Sequence, residues 1–470
     1  MDERPLHRDP RFWVGPAAAL GLGLAWYAAD SLRHRREGAF GYELVAGVDA
    51  DSPDFMRAAE ALTGHPINEG CEVELLINGD RIFPAMLETI RGARQTLCLE
   101  TYVYWRGDIA AEVAEAVCER AAAGVECRVL VDAVGAAKIT DGLIDRMQDA
   151  GVDVVRFRPP RLYSLRHLAN RTHRRLLVAD GRVGMTGGVG IAGEWEGDAR
   201  GPDEWRDTHV RIQGPVVRGM QGAFAEHWLE ATGEVLGGDR FLPELEALAD
   251  GGPVQLIRSS AGVGDTNAEA IYYLAIASAR RSLDVCAAYF APRPAFTKAL
   301  AEAAKRGVEV RVLVPGPHID KQFVRRAGQA AYEELLDAGV RIFEYQPTML
   351  HAKTMAVDGC WASVGTINFD NRSFQLNDEI TLAVHSESFC AALTESFEAD
   401  IARLGEFLAR IKGRIRHQSL ERASPLSVPI LLEIGREQVA GGARESIMRE
   451  AADDLIRDVI GRDAVTHDGA

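Results

Sequence analysis

A repeated stretch constrains the fold of this chain more than any other feature. Residues 173–190, HRRLLVADGRVGMTGGVG, and residues 351–368, HAKTMAVDGCWASVGTIN, share a histidine, a cation two residues later, an aspartate and closing glycines at equal spacings. The segments before them also match, AGVECRVLV with RGVEVRVLV and DAGVDVVRF with DAGVRIFEY. A repeat of about 180 residues is far longer than a solenoid repeat. The sequence therefore predicts two related halves, which commonly surround a pseudo-two-fold axis with two equivalent sites at their interface.

Strand and helix periodicities alternate in both halves. In the first half the predicted strands are VELLIN (73–78), LCLETYVY, CRVLV and VDVVRF, and the helices include residues 84–94, opened by Pro84, and 108–124. The second half repeats this order from residue 253. We expect an α/β protein with two pseudo-symmetric α/β/α halves and mixed, mainly parallel sheets. The predicted regions are an N-terminal region (1–70), a first half (71–235), a second half (253–412) and a tail of unknown role (413–470).

The N-terminal region contains a candidate membrane anchor. Residues 12–29, FWVGPAAALGLGLAWYAA, form an uncharged run with aromatic residues near both ends. About 20 apolar residues span a bilayer, and aromatic rings favour its interfaces. The run is rich in alanine and glycine, so a buried or peripheral helix is the alternative. A cleaved signal peptide is disfavoured, because no clear small-residue cleavage site follows.

Charge and cysteine content exclude several classes of protein. The formal net charge of -16 argues against a general nucleic-acid binder, which normally carries a basic surplus. The seven cysteines are scattered, odd in number and contain no C-x-x-C pair. They predict neither a disulfide framework nor a zinc site, and they favour a reducing compartment.

The second copy of the repeat places several polar side chains together. His351 and Lys353 are two residues apart on a predicted strand and therefore share a face. Asp358 ends that strand, and the next strand leads into Thr366 and Asn368. An imidazole, an ammonium, a hydroxyl and an amide suit proton transfer near neutral pH and the binding of a phosphate.

Glu379, in the stretch LNDEI, is predicted to accept from the other ring nitrogen of His351 and to hold its tautomer. A lone histidine beside a strand usually packs in the core or lies at the surface. Two histidines at matching places in a duplicated chain instead favour paired acid–base or nucleophilic histidines. Zinc is a poor alternative, since lysine does not usefully join a ligand set and the spacing fits no ligand pattern.

These residues resemble a known signature. H-A-K-x4-D-x6-G-T-x-N in the second copy matches the phospholipase D superfamily motif in full. FDNRSFQLNDE, PAMLETIRGAR, LETYVY, EWRDTHVRIQGP and YQPTMLHAKTMAVDG look like the cardiolipin synthase branch of that superfamily. The similarity covers residues 72 to 412, which is most of the chain.

The resemblance implies a two-step displacement at phosphorus. In this family the first-copy histidine, here His173, usually attacks a phosphodiester and forms a phosphohistidine, while the second, His351, protonates the leaving alcohol and then deprotonates the incoming one. No metal or other cofactor is implied, because lysine, asparagine and hydroxyl donors offset the charge on the phosphoryl oxygens. The order of the two histidines is not established by the sequence.

The first copy departs from the motif at two positions. Arg175 replaces the lysine and keeps a positive charge, whereas Gly190 replaces the asparagine and removes a donor. Arg174 or a backbone N–H is a possible substitute for that donor. Asp180 keeps the motif aspartate, and Asp207 in WRDTH is predicted to be the partner of His173. We expect an active site, with weakened or altered specificity as the alternative.

A basic segment points to the substrate. Residues 156–175 contain seven arginines and no acidic residue, and KQFVRRAG (321–328) adds a smaller cluster. Such segments suit anionic lipid headgroups at a membrane surface, although a solvated loop is the alternative. We expect synthesis of cardiolipin from two phosphatidylglycerol molecules, no nucleic-acid partner, and a location at the inner (cytoplasmic) membrane with the catalytic part on the cytoplasmic side. The alternatives are a phospholipase D-type hydrolase or headgroup-exchange enzyme, then a nuclease, then a non-catalytic membrane-associated protein with a decayed first motif.

Overall fold

The computed structural model describes residues 42–45, 47–160, 170–260 and 265–415. The predicted anchor at residues 12–29 lies outside this part of the chain, as do residues 161–169 of the basic segment and the tail from residue 416. Within the described ranges, no helix is both long enough and apolar enough to cross a bilayer. Both halves belong to one compact unit that follows Val45.

The secondary structure repeats once along the chain. The elements before the hinge are α1 Pro53–Thr63, β1 Ile67–Ile77, α2 Gly79–Gly92, β2 Thr96–Thr101, α3 Asp108–Ala122, β3 Glu126–Asp132, α4 Asp141–Asp149, β4 Asp153–Phe157, β5 Arg171–Thr172, β6 Leu176–Ala179, β7 Val183–Gly187, β8 Thr208–Gln213 and α5 Val217–Thr232. A 3-10 turn at Gly193–Trp195 lies between β7 and β8.

The second half follows the hinge. Its elements are β9 Gly252–Ser259, α6 Asn267–Ser278, β10 Ser282–Ala287, β11 Phe290–Ala291, α7 Pro294–Lys305, β12 Glu309–Pro315, α8 Gln322–Gln329, α9 Tyr332–Asp337, β13 Arg341–Tyr345, β14 Lys353–Val357, β15 Trp361–Gly365, β16 Phe369–Asp370, α10 Asn371–Gln375, β17 Asn377–His385 and α11 Glu387–Ile415.

The two halves have the same strand order. The first runs β1-β8-β7-β6-β2-β3-β4, and the second runs β9-β17-β15-β14-β10-β12-β13. This confirms the predicted α/β fold with pseudo-symmetric halves and mixed sheets. One detail of the prediction is wrong: along this strand order only β2-β3-β4 and β10-β12-β13 pair parallel, and the other neighbours pair antiparallel. Two short parallel pairs, β5-β17 and β11-β16, lie off this path. The motif hairpins β6-β7 and β14-β15 account for one antiparallel pair in each half, because a short turn can join only antiparallel strands.

The halves share one sheet and part of one core. β1 pairs antiparallel with β9, so the strands of both halves form a continuous sheet. On one face, a single buried cluster joins Phe224 and Trp228 of α5 to Leu382 of β17 and Leu393 of α11. On the other face, α2, α3 and α4 cover the first half. Burial of apolar surface across the boundary therefore stabilises the two halves together.

Two elements differ from the sequence prediction. Helix α2 begins at Gly79, five residues before Pro84, which lies inside the helix. Helix α1 falls in the N-terminal region to which the sequence assigned no core role. Ser52 caps it by accepting from the Phe55 N–H at 3.2 Å, and the Phe55 ring packs edge-on against Trp361 of the second half, 6.1 Å between centroids.

Candidate active site

Two short strand pairings between the halves build the site. Residues Arg171 and Thr172 pair in parallel with Asn377 and Asp378, and the His173 N–H donates to the carbonyl of Asp378 at 2.8 Å. The same arrangement recurs at the pseudo-symmetric position. There the bridge joins Arg206 to Leu350, and the His351 N–H donates to the carbonyl of Arg206 at 2.7 Å. Each histidine is thus fixed by backbone bonds to the other half.

The acids that contact the histidines are consequently exchanged between the halves. Nδ1 of His173 lies 2.9 Å from Glu379 Oε2, and Nδ1 of His351 lies 2.8 Å from Asp207 Oδ2. The sequence predicted the reverse, Glu379 with His351 and Asp207 with His173, and this prediction is wrong. The two acids lie immediately after the residues that form the pairings between the halves, so each faces the histidine of the opposite half.

The lowered pKa values and the contacts at Nδ1 assign the neutral form and the same tautomer to both histidines. A carboxylate faces each Nδ1, so Nδ1 carries the proton and Nε2 keeps its lone pair. Burial, followed by the charge of Arg175, lowers the pKa of His173 well below its ordinary value. Burial, followed by the charge of Lys353, does the same to the pKa of His351. Two neutral Nε2 atoms therefore provide a nucleophile and a proton acceptor in one site.

A buried cation accompanies each histidine. Arg175 approaches Nε2 of His173 at 3.2 Å and donates to the backbone carbonyl of the same residue at 3.0 Å. Lys353 Nζ lies 2.9 Å from Nδ1 and 3.1 Å from Nε2 of His351. Burial, and then the nearby Arg175 charge, lower the pKa of Lys353 to about 7, although Asp207 and Glu379 oppose this shift. A buried cation thus lies beside each imidazole, Arg175 at Nε2 of His173 and Lys353 between the two ring nitrogens of His351.

Glu379 has its own donors. The Thr366 hydroxyl donates to Oε2 at 2.5 Å, and the Asn377 amide donates to Oε1 at 3.1 Å. Burial raises the pKa of Glu379 to about 7 despite these hydrogen bonds. The sequence predicted that Thr366 would bind phosphate, but in the structure its hydroxyl donates a hydrogen bond to Glu379 instead. Asn368 is 3% exposed, and its amide oxygen, a hydrogen-bond acceptor, has no partner among the described residues.

Comparison with known proteins is consistent with this geometry. A family model described as "Cardiolipin synthase, PLD-like domain" matches residues 272–401. The cardiolipin synthase of Geobacillus thermodenitrificans is 36% identical over 383 residues, 80% of this chain and 76% of that protein. The cardiolipin synthase of Alkalihalophilus pseudofirmus is 33% identical over 379 residues, 80% of this chain and 75% of that protein. The chain belongs to the cardiolipin synthase family of the phospholipase D superfamily.

A solved structure shares the fold of this family member. The phosphatidylserine synthase of Haemophilus influenzae superposes with a TM-score of 0.54 at 14% identity, covering 74% of this chain and 90% of that one. The resemblance predicted from the motifs is thereby confirmed at the level of both family and fold.

Trp195 explains how this family member accommodates glycine in its first motif copy. Its indole Nε1 donates to Asp207 Oδ2 at 2.8 Å, the part that Thr366 plays for Glu379 in the second half. A Cβ atom on Gly188, the counterpart of Thr366, would stand 2.0 Å from Asp207 Oδ1. A Cβ atom on Gly190 would stand 2.7 Å from Val103 Cβ and 3.1 Å from the Trp195 ring. The indole therefore occupies space next to Gly190, and its N–H donates to Asp207 as the Thr366 hydroxyl donates to Glu379.

The sequence offered no direct signal for Trp195, because it lies outside the motif. The only hint is glycine at residues 188 and 190, where the second copy has Thr366 and Asn368; Gly188 is thus a third departure from the motif, besides Arg175 and Gly190. Arg174, which the sequence suggested as a substitute donor, instead donates to the Ala223 carbonyl at 2.9 Å on α5. Arg175, in contrast, lies beside His173 as its motif position predicted.

The two motif aspartates lie away from the histidines. Asp180 accepts from the backbone N–H groups of Arg94, Gln95 and Thr96, and Asp358 accepts from those of Arg280, Arg281 and Ser282, at 2.7–2.9 Å. Both have positive φ, 54° and 52°, in tight turns followed by glycine. Seven residues of extended chain separate Asp358 from His351, roughly 20 Å. The family resemblance implied that both motif aspartates belong to the catalytic set, and this is corrected: the two carboxylates fix the motif turns.

A buried ionic cluster supports the first pairing between the halves. Nδ1 of His227 on α5 lies 2.6 Å from Glu100 Oε1, and its Nε2 lies 3.4 Å from Asp378 Oδ2. The Thr172 hydroxyl also donates to Glu100 at 2.6 Å. Burial and Arg174 oppose the charge on His227, yet Glu100 and Asp378 raise its pKa above the ordinary value. His227 thus joins two carboxylates, one from each half, and its raised pKa favours the imidazolium form.

Proposed function

We propose that this protein is a phosphatidyltransferase that makes cardiolipin from two phosphatidylglycerol molecules and releases glycerol. The observation that carries the proposal is the pair of buried, neutral histidines, each held at Nδ1 by the acid of the other half. Membership of the cardiolipin synthase family supports the substrate class. Phosphatidylglycerol provides both a phosphodiester that can be attacked and a free hydroxyl that can attack.

In the first step, Nε2 of His173 attacks the phosphorus atom of one phosphatidylglycerol. The bond between phosphorus and the glycerol oxygen breaks, and the glycerol takes a proton from His351. The anionic phosphodiester raises the pKa of His351 as it enters, since a nearby negative charge favours the imidazolium. Asp207 stabilises that imidazolium through Nδ1. The product of this step is a phosphatidyl-histidine.

In the second step, His351 takes the proton from a hydroxyl of the second phosphatidylglycerol. The oxygen attacks phosphorus, the phosphorus–nitrogen bond breaks, and His173 returns to its neutral form. Arg175, Lys353 and Asn368 offset the charge on the phosphoryl oxygens in both steps. Donors aimed at such oxygens in a buried site typically contribute about 10²–10³ in rate each.

We also propose that the protein works on a membrane surface. Phe323 on α8 is 72% exposed and lies in the same basic segment as Arg326. An exposed ring beside cations suits insertion into an anionic lipid interface. The uncharged run at residues 12–29 supports a location at the inner membrane, and the scattered cysteines, which favour a reducing compartment, support a catalytic part on the cytoplasmic side. The net charge of -16 supports lipid rather than nucleic acid as the partner.

Incubation of the purified protein with phosphatidylglycerol vesicles and a chelator tests the function. We expect cardiolipin and free glycerol in equal amounts. Phosphatidic acid in place of cardiolipin would make water the acceptor and the protein a hydrolase. Absence of any product from phosphodiester lipids would point to a non-catalytic protein.

A second experiment tests the roles of the histidines. A p-nitrophenyl phosphodiester has a leaving group that needs no proton. We expect His351→Asn to release one burst of nitrophenol from it and to accumulate phosphohistidine at residue 173, detected by mass spectrometry at alkaline pH. Accumulation at residue 351 in His173→Asn, with none in His351→Asn, would reverse the assignment.

Vesicle flotation tests the membrane surface. Phe323→Ser should reduce binding to phosphatidylglycerol vesicles, whereas Leu62→Ser, which alters an apolar residue 54% exposed on α1, should not. Equal binding by wild type and Phe323→Ser would contradict the proposed contact.

A further inference from the structure

We propose that Lys321 binds the phosphate of the acceptor lipid and so selects a lipid alcohol over water. The inference rests on the proposed function and identifies a second anion subsite beside the catalytic pair. The ligand is the phosphodiester of the phosphatidylglycerol molecule whose hydroxyl attacks the phosphohistidine. None of the motif residues that hold the reacting phosphoryl group is available for this second charge.

The position of Lys321 fits that ligand. Its ammonium lies 4.5 Å from the centre of the Tyr289 ring, and this ring packs edge-on against His351 with centroids 6.3 Å apart. One aromatic ring therefore separates the ammonium from the proposed general base. In the acceptor, three carbons separate the attacking oxygen from the oxygen on its own phosphate. The two phosphorus atoms of the product are thus roughly 6–7 Å apart by covalent bond lengths, about the width of such a ring.

The charges around Lys321 leave its ammonium open to an anion. The Tyr289 hydroxyl donates to both oxygens of Asp320, at 2.8 and 2.9 Å. The carboxylate next to Lys321 in the sequence is therefore hydrogen-bonded to the tyrosine hydroxyl. Among the described residues, no carboxylate oxygen lies within ion-pair distance of Lys321 Nζ. Lys321 is exposed, and partial desolvation lowers its pKa; Asp320 and Asp370 oppose this shift, while Arg372 and Arg175 add to it. Cations that repel one another beside the histidines are stabilised when an anion binds among them.

Water needs no such contact, because it carries no charge. Lys321 therefore contributes to the choice of acceptor rather than to attack on the donor. A surface lysine that only attracts the protein to anionic vesicles would act on every product equally. The ratio of two products formed in one reaction separates these two effects.

The experiment uses the full-length protein on phosphatidylglycerol vesicles containing ethanol. Cardiolipin then reports the lipid acceptor, and phosphatidylethanol reports a neutral acceptor for the same donor. We expect Lys321→Gln to lower the ratio of cardiolipin to phosphatidylethanol about tenfold or more, the usual effect of losing one hydrogen bond to a charged group. Lys321→Arg should restore most of the ratio. Arg326→Gln removes the same charge from the same segment and should leave the ratio at the wild-type value.

Two results would overturn the assignment. One is an unchanged ratio in Lys321→Gln, whether or not both products fall. The other is an equal change of the ratio in Arg326→Gln, which would indicate general attraction to the membrane. Failure of the proposed function would give a different result, because the wild-type protein itself would form phosphatidic acid or phosphatidylethanol without cardiolipin. The assignment of the Lys321 subsite would then be wrong as well.

Discussion

Nδ1 of His173 lies 2.9 Å from Oε2 of Glu379, although 206 residues separate them along the chain. Asp207 and His351 form the reciprocal contact at 2.8 Å across 144 residues. There are thus two histidine–acid pairs, and each half supplies the histidine of one pair and the acid of the other. Neither half contains a complete histidine–acid pair, which gives a physical reason for the shared core and the continuous sheet between them.

The exchange of acids can be tested by proton NMR. A histidine Nδ1–H that faces a buried carboxylate gives a strongly downfield signal, and each of the two is assigned by its His→Ala variant. We expect Glu379→Gln to remove the His173 signal and Asp207→Asn to remove that of His351. Loss of the His351 signal in Glu379→Gln would return the acids to the pairing that sequence proximity suggested.

Restoring the motif asparagine should harm the enzyme. Gly190→Asn places a Cβ atom 2.7 Å from Val103 Cβ, and overpacking of this kind costs about 1–3 kcal/mol in the free energy of unfolding. We also expect kcat to fall, because the strain displaces the Trp195 indole that donates to Asp207. Denaturant unfolding and initial rates measure both effects. The double variant Val103→Ala with Gly190→Asn should recover part of the loss; a gain in kcat for Gly190→Asn alone would contradict this account.

The pH dependence of kcat/KM should be a narrow bell centred near neutrality. Burial raises the pKa of Glu379 to about 7, so falling pH protonates the carboxylate that holds His173 and lowers the rate. Burial lowers the pKa of Lys353 to about 7, so rising pH removes a charge that holds the phosphoryl group. Arginine stays charged over this range. Lys353→Arg should therefore shift the alkaline limb to higher pH, and an unmoved limb would assign it to another group.

Asp358 should prove structural. Asparagine keeps one acceptor oxygen and tolerates positive φ, but it cannot accept from the N–H groups of Arg280, Arg281 and Ser282 together. We expect Asp358→Asn to lower the free energy of unfolding by about 1–3 kcal/mol and to leave kcat per folded molecule near the wild-type value. Exposed Asp337→Asn is the control. A loss of kcat of a hundredfold or more in fully folded Asp358→Asn would restore the catalytic assignment.

Neutralising the buried imidazolium should destabilise the fold. His227→Gln removes the cation that Glu100 and Asp378 share. Asp378 keeps its ion pair with Arg158 at 2.6 Å, but Glu100 loses its ion-pair partner, and removal of one partner from a buried ionic cluster costs about 3–5 kcal/mol. His385→Gln is a matched control, because burial lowers the pKa of that histidine and no charge opposes the shift. Denaturant unfolding measures both. Equal costs for the two variants would mean that the charge of His227 contributes nothing.

The same histidine predicts how stability changes with pH. The pKa of His227 is raised in the folded protein above its ordinary value of 6.5. Its contribution is therefore complete below that ordinary value and is lost as pH rises through the higher folded value. The difference in unfolding free energy between wild type and His227→Gln should shrink at alkaline pH. A difference that grows with pH would show that the neutral form is the one that stabilises the fold.

The sequence by itself determined the duplication, the order of strands and helices in each half and the identity of both histidines and their cations. These features follow from local rules, because hydrophobic periodicity specifies elements and two-residue spacing puts His351 and Lys353 on one strand. The chemistry of a phosphodiester site also followed, since it depends on residue types more than on partners.

Only the tertiary structure decided which acid serves which histidine, what replaces the polar residues missing from the first copy, and what the motif aspartates hold. Glu379 and Trp195 act on groups that no sequence period relates to them. Their partners are set by the parallel pairing of Thr172 with Asp378 and by the space that Gly188 and Gly190 leave open. Such contacts arise when two halves pack and bury a common core, and packing between distant segments leaves no local pattern in the chain.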